Sequence, residues 1–178
     1  MIFDSDVVYY PAKDVLFYQS DIRGNVLTAE RINVMKAIHE REHVTLITTF
    51  DALMNTMAPS EMMWKNVFRI HPGEELDLQK VTKQLVQMGY EKEYQVESMG
   101  QFALRGGILD IFPLTEEVPA RIEMWGDEID SIRSFDCESQ KSIENLKELV
   151  VYPACELVLT DEEKQKGIDR FKQEAERV

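Results

Sequence analysis

Residues 100–136, GQFALRGGILDIFPLTEEVPARIEMWGDEIDSIRSFD, alternate apolar and polar side chains around a diglycine, and that pattern leaves the chain few folds to choose from. Successive side chains of a strand point to opposite faces. Ile122 and Met124 therefore share one face, and Arg121, Glu123 and Trp125 share the other. Upstream, Phe102 and Leu104 fall together, with Gln101, Ala103 and Arg105 opposite. Gly106-Gly107 supplies the positive backbone dihedrals of a two-residue hairpin. The run from Ile108 to Phe112 is apolar except for Asp110, and Pro113 stops it. Gly126-Asp127 offers the next turn, before a strand over 128–134. The pattern predicts an antiparallel meander with one apolar and one polar face.

The flanking sequence reads differently. Asp6 to Tyr10 forms a strand ended by Pro11, and Thr28 caps a helix with Ile32, Met35 and Ile38 on one face. Val44 to Thr48 reads as a buried strand, with helical turns near Asp51 and after Pro59. Strand–helix–strand order predicts a parallel sheet with a right-handed crossover, and two strands are too few to complete such a domain. A strand at 67–70 precedes a helix capped by Asp77, with Leu78, Val81, Leu85 and Met88 on one stripe and Gly89 as its stop. A strand is expected over 94–97, helical turns over 142–148 and a returning strand over 149–152. Thr160-Asp-Glu-Glu163 is a capping box opening a last helix, with Ile168, Phe171 and Ala175 on its apolar stripe. The predicted fold class is mixed α/β and α+β. A partial parallel α/β domain, split in sequence, carries an inserted small domain of antiparallel sheet plus helix. The parts are 1–66, 67–152 and 153–178.

Composition narrows the function. The net charge is −13, and residues 100–140 hold nine acids against Arg105, Arg121 and Arg133. Nucleic-acid surfaces need clustered cations, so no direct nucleic-acid contact is expected. No apolar run approaches the ~20 residues of a membrane span, and no signal-peptide pattern opens the sequence. Cys137 and Cys155 lack metal spacing, which suits reduced thiols and a cytoplasmic location.

The search for chemistry finds no catalytic residues. A phosphate-binding Gly-x-x-x-x-Gly-Lys-Ser/Thr loop is absent. His39 and His43 stand four apart, but Glu40 and Glu42 do not recreate the His-Glu-x-x-His arrangement, and no metal is expected. Asp127, Glu128 and Asp130 read as a charged turn, and Asp110 as a carboxylate accepting bonds from backbone or a nearby arginine. No cofactor is expected. Arg105, Arg121 and Trp125 carry the positive case, because arginine and tryptophan are the types most enriched at binding hot spots. The residues alone leave a second reading open, in which each arginine pairs with a local acid and Trp125 covers the sheet.

The string resembles the second domain shared by bacterial transcription-repair coupling factors and the excision-repair protein UvrB. The resemblance rests on Gly100, Phe102, the run from Arg105 to Pro113, Arg121-Ile122-Glu123, the run from Gly126 to Arg133, and Phe135-Asp136. The diglycine and Ser139-Gln140-Lys141-Ser142 are more similar to the coupling factors. Tyr10-Pro11-Ala12, Leu16-Phe17-Tyr18 and Tyr152-Pro153-Ala154-Cys155-Glu156 extend the likeness to both ends. The resemblance implies a split first domain around an inserted second one, and a module that docks UvrA. It implies contacts from Arg105, Arg121 and Trp125, where Trp125 replaces the usual phenylalanine and Gln101 a common glutamate. The full-length family member is implied to be an ATP-dependent DNA translocase. Two alternatives stay open: a regulatory surface covered by other domains of the same protein, and a fragment of UvrB.

Overall fold

A computed structural model describes residues 7–13, 21–55 and 60–177, with the side chains of 21–24 and 60 left aside. Its centre is a six-stranded sheet. In spatial order the strands are β4 (Glu91–Lys92), β5 (Gln101–Arg105), β6 (Ile108–Ile111), β7 (Ala120–Trp125), β8 (Glu128–Phe135) and β9 (Ser142–Asn145). All neighbours are antiparallel except β4 and β5. The meander follows from the alternation; the tight turn falls on the diglycine, but Gly106 alone has a positive φ, at 60°, and Gly107 does not.

One face of this sheet is closed by helix α4 (Leu78–Gln87). Asp77 caps it, accepting from the backbone N–H groups of Gln79 and Lys80. Val81, Leu85 and Met88 meet Phe102, Leu109, Ile111, Ile122, Ile129 and Ile132 in the main core. The strands β3 (Phe68–Ile70) and β10 (Leu149–Val151) pair antiparallel and add Ile70, Leu149 and Val151 to that core. The hydrophobic effect, at roughly 25 cal/mol per Å² of buried apolar surface, makes this layer the main source of stability.

The N-terminal part is a parallel pair, β1 (Val7–Tyr10) with β2 (Thr45–Thr48), joined through α1 (Asp21–Glu40). Two short helices follow, α2 (Phe50–Met54) and α3 (Ser60–Trp64). Ala29, Ile32 and Met35 of α1 pack with Met63, Leu114 and Tyr152, so α1 lies on the rim of the central unit. Arg31, fully buried, ties three distant segments together. Its Nε and Nη2 donate to Glu156 at 2.7 and 3.1 Å, and its Nη1 donates to the Pro11 carbonyl at 2.6 Å. The last helix, α5 (Asp161–Ala175), opens on the Thr160–Glu163 capping box and buries none of its residues.

The mixture of helices and sheets of mixed orientation is an α+β fold. Several local expectations are corrected. Helix α1 runs through Thr28 instead of starting there, and Ile38 is half exposed. Six residues on from Ile32, Ile38 stands about 120° around the helix, off the buried stripe. Strand β2 is exposed, since β1 is its sole strand partner among the described residues. Residues 94–97 form a loop, with the short strand earlier at 91–92. Residues 142–145 are the edge strand β9, where the free ladder of β8 outweighs weak helix propensity. The Leu16-Phe17-Tyr18 segment, Asp6 and Pro59 lie outside the described residues.

Candidate docking face

The second face of the central sheet is where Arg105, Arg121 and Trp125 fall. Register puts Ala103 opposite Asp110, Asp110 opposite Arg121, and Arg121 opposite Arg133, so one row crosses four strands and is polar at its last three positions. Asp110 is 1% exposed and accepts from both arginines. Arg105 Nη2 donates to Oδ2 at 2.7 Å. Arg121 grips the carboxylate side-on, Nε to Oδ1 at 2.7 Å and Nη2 to Oδ2 at 2.8 Å. Paired forks of this kind are among the stronger hydrogen bonds in proteins. The bond to Asp110 also holds the Arg121 guanidinium above its ordinary pKa, against the opposing pull of burial.

The arginines are unequally open. The Arg105 side chain is 33% exposed and that of Arg121 15%. Arg121 also lies over the Phe135 ring, 4.4 Å from its centroid, and donates to Gln140 Oε1 at 2.9 Å. Trp125, at the end of β7, is 83% exposed. Between Trp125 and Arg121, Glu123 is ion-paired with Arg133. The face thus combines an arginine fork on a buried acid, a second charged pair and an uncovered indole. Both arginines pair with a local acid, as the second reading required, yet Trp125 covers nothing.

Part of this face is apolar and closed. Val96, Ala103, Phe112 and Phe135 form a small cluster under the loop of residues 93–99. Gln101 supports that loop, its Oε1 accepting from the N–H groups of Glu97 and Ser98 at 2.9 and 3.0 Å. The expectation of one wholly polar face is corrected accordingly. A bulge brings Phe135 into this cluster: Glu123 pairs with Ser131 and Met124 with Ile129, leaving Asp130 as the extra residue. Ile129 and Ile132 therefore share the core, and Arg133 and Phe135 turn toward Asp110. Sequence alternation alone missed Phe135 and Gln140 as neighbours of Arg121. The parity of β8 beyond the bulge was the one signal that pointed to Phe135.

No group of three His, Cys, Asp or Glu side chains able to hold a metal ion occurs among the described residues. His39 instead stacks on Trp64, with ring centroids 3.9 Å apart. Burial pushes the Cys137 and Cys155 thiols above their ordinary pKa, which does not favour thiolate chemistry. No helix among the described residues is long and apolar enough to cross a membrane.

The chain is also similar to known proteins. The profile of the UvrB interaction domain matches residues 68–157. A transcription-repair-coupling factor from Bacillus subtilis (strain 168) is 33% identical over 168 residues, 94% of this chain and 14% of the relative. One from Staphylococcus aureus (strain MRSA252) is 37% identical over 153 residues, covering 86% of this chain and 13% of the relative. One from Staphylococcus haemolyticus (strain JCSC1435) is 34% identical over 158 residues, covering 89% and 13%. The chain therefore spans about a seventh of the length of these curated relatives.

Proposed function

The chain belongs to the UvrB interaction domain family, and from that premise we propose that it is the UvrA-docking module of a transcription-repair coupling factor. Its task is non-catalytic: to bring the damage-recognition protein to an RNA polymerase stalled at a lesion. A motor elsewhere in the full-length protein, driven by ATP on DNA, supplies the displacement of the polymerase. The 1–66 and 153–178 segments belong to a split domain completed by other parts of that protein. Exposed Tyr9, Leu46, Ile47, Phe50 and Leu53 on β1, β2 and α2 support this reading, since such apolar surface ordinarily has a partner.

The observation that carries the proposal is one face holding three suitable groups. Arg105 and Arg121 are fixed by Asp110, and Trp125, four residues on from Arg121 along β7, stands 83% exposed. Pre-fixed guanidinium groups lose little entropy on docking, and an exposed indole has area to bury. The acidic surroundings of this face favour a protein partner over a phosphate backbone.

A calorimetric titration with UvrA tests it. Arg105→Ala, Arg121→Ala and Trp125→Ala should each weaken binding by about 2 kcal/mol or more if they are central contacts. Three variants that bind like the parent would remove the proposal. Masking by another domain of the same protein would use this same face. It calls for weaker UvrA binding by the full-length protein than by this chain, and equal affinities would exclude it.

A further inference from the structure

The Arg121 guanidinium is fixed from three directions. Nε and Nη2 donate to the Asp110 carboxylate, one face of the plane lies over Phe135, and Nη2 donates again to Gln140 Oε1. Three of the five N–H donors of an arginine are thereby used. No hydrogen bond among the described residues uses Nη1. The free donors are the two on Nη1, and the three holders set where they point.

Gln140 is the unexpected holder. Among the described residues it is the one non-glycine with positive φ, at 60°, a region that residues bearing a Cβ seldom occupy. The surrounding turn enforces this conformation. Asp136 Oδ1 accepts from the Ser139 N–H at 2.8 Å and from its hydroxyl at 2.6 Å, and Gln140 N–H donates to the Asp136 carbonyl at 2.8 Å. Both ends of the Gln140 amide are then committed. Nε2 donates to the Cys137 carbonyl at 2.8 Å, which leaves Oε1 directed at Arg121. Backbone outliers kept in place by such over-determination concentrate where function needs them.

We infer that Gln140 is a positioning residue for docking: with Asp110 and Phe135 it fixes Arg121 so that the Nη1 edge meets an oxygen acceptor of the partner. The inference rests on the docking role proposed above and adds a residue on a different loop to it. Gln140 acts through Arg121 and need not touch the partner itself.

Gln140→Gly separates this role from a structural one. Glycine accepts the left-handed backbone, so the melting temperature should hold or rise. UvrA affinity should nevertheless fall about three- to tenfold, the scale of one ordinary hydrogen bond, because Asp110 and Phe135 still hold Arg121 in part. In an Arg121→Ala background the same change should have no further effect, because its target is gone. A Gln140→Gly variant that binds like the parent while Arg121→Ala binds weakly overturns positioning and leaves docking intact. An equal loss in both backgrounds, or a melting temperature that falls with the affinity, also overturns it. Parent-like binding by Arg121→Ala removes the docking role and this inference together.

Discussion

Asp110 and Arg121 stand opposite each other on β6 and β7, joined by two hydrogen bonds of 2.7 and 2.8 Å. Asp110 also accepts from Arg105, so one buried carboxylate sets the position of two cations. Asp110→Asn removes the charge that both guanidinium groups answer, and Arg105 and Arg121 then repel each other. Stability should drop by about 2–3 kcal/mol, and UvrA binding should weaken as well. Urea unfolding and calorimetry on the same variant check both. A variant as stable as the parent would show that the two arginines reach equivalent partners elsewhere.

Trp125 should behave in the opposite way. It is 83% exposed, so Trp125→Ala should change folding stability by no more than about 0.5 kcal/mol while binding suffers. Trp125→Phe should keep most of the affinity, because a flat apolar ring remains. With Trp64→Phe as background, Trp125 is the sole tryptophan, and its emission should shift to the blue when UvrA covers it. An unchanged spectrum at saturation would place Trp125 outside the contact.

The Arg31–Glu156 pair predicts an acid-sensitive link between the N-terminal and C-terminal segments. Burial alone would push the Glu156 carboxyl up, but hydrogen bonds from Arg31 and Lys13 outweigh it and leave its pKa lowered. A carboxylate depressed on folding contributes fully above its unfolded value of about 4.3. That contribution is lost as pH falls through the lower, folded value. Arg31→Met should cost about 3 kcal/mol near pH 7, and progressively less in acid. Thermal melts of parent and variant across pH 3–7 check this (roughly the span of linkage), and parallel curves would exclude it.

Two glycines should differ although both have positive φ. At Gly89, φ 90°, an added Cβ would lie 2.9 Å from the Cys155 Cβ, whereas at Gly106, φ 60°, it meets nothing within 4 Å. Gly106→Ala should therefore cost about 1 kcal/mol, from backbone strain alone. Gly89→Ala adds a steric clash where 155 packs on the end of α4, and should cost about 2–3 kcal/mol. Chemical denaturation ranks them, and equal losses would show that the 154–155 segment yields freely.

The central meander was legible because its signal is local. Alternation put Arg105 and Arg121 on the polar sides of their strands, and diglycine chemistry fixed the turn between the first two strands, whereas the facing of Asp110 came from the register. The caps at Asp77 and Thr160 were equally readable, since each side chain bonds backbone within three residues. Helix α1 was misread at its start, placed at Thr28, and at Ile38, while Ile32 and Met35 are buried as expected. The exposure of Ile38 follows from what the stripe packs against, namely Met63, Leu114 and Tyr152.

What the chain's own order of residues determined is the meander from β5 to β8, the facing of β5 and β7, and the chemical types offered there. Tertiary structure alone decided which of those groups are committed. The unpaired Asp130 reverses the facing of the far end of β8 and brings Phe135 beneath Arg121. A turn ending in Gln140, 19 residues on, closes the guanidinium from the side. The physical reason is range: alternation and capping act within a few residues, whereas a bulge's change of facing and a loop's reach act only once distant strands are side by side.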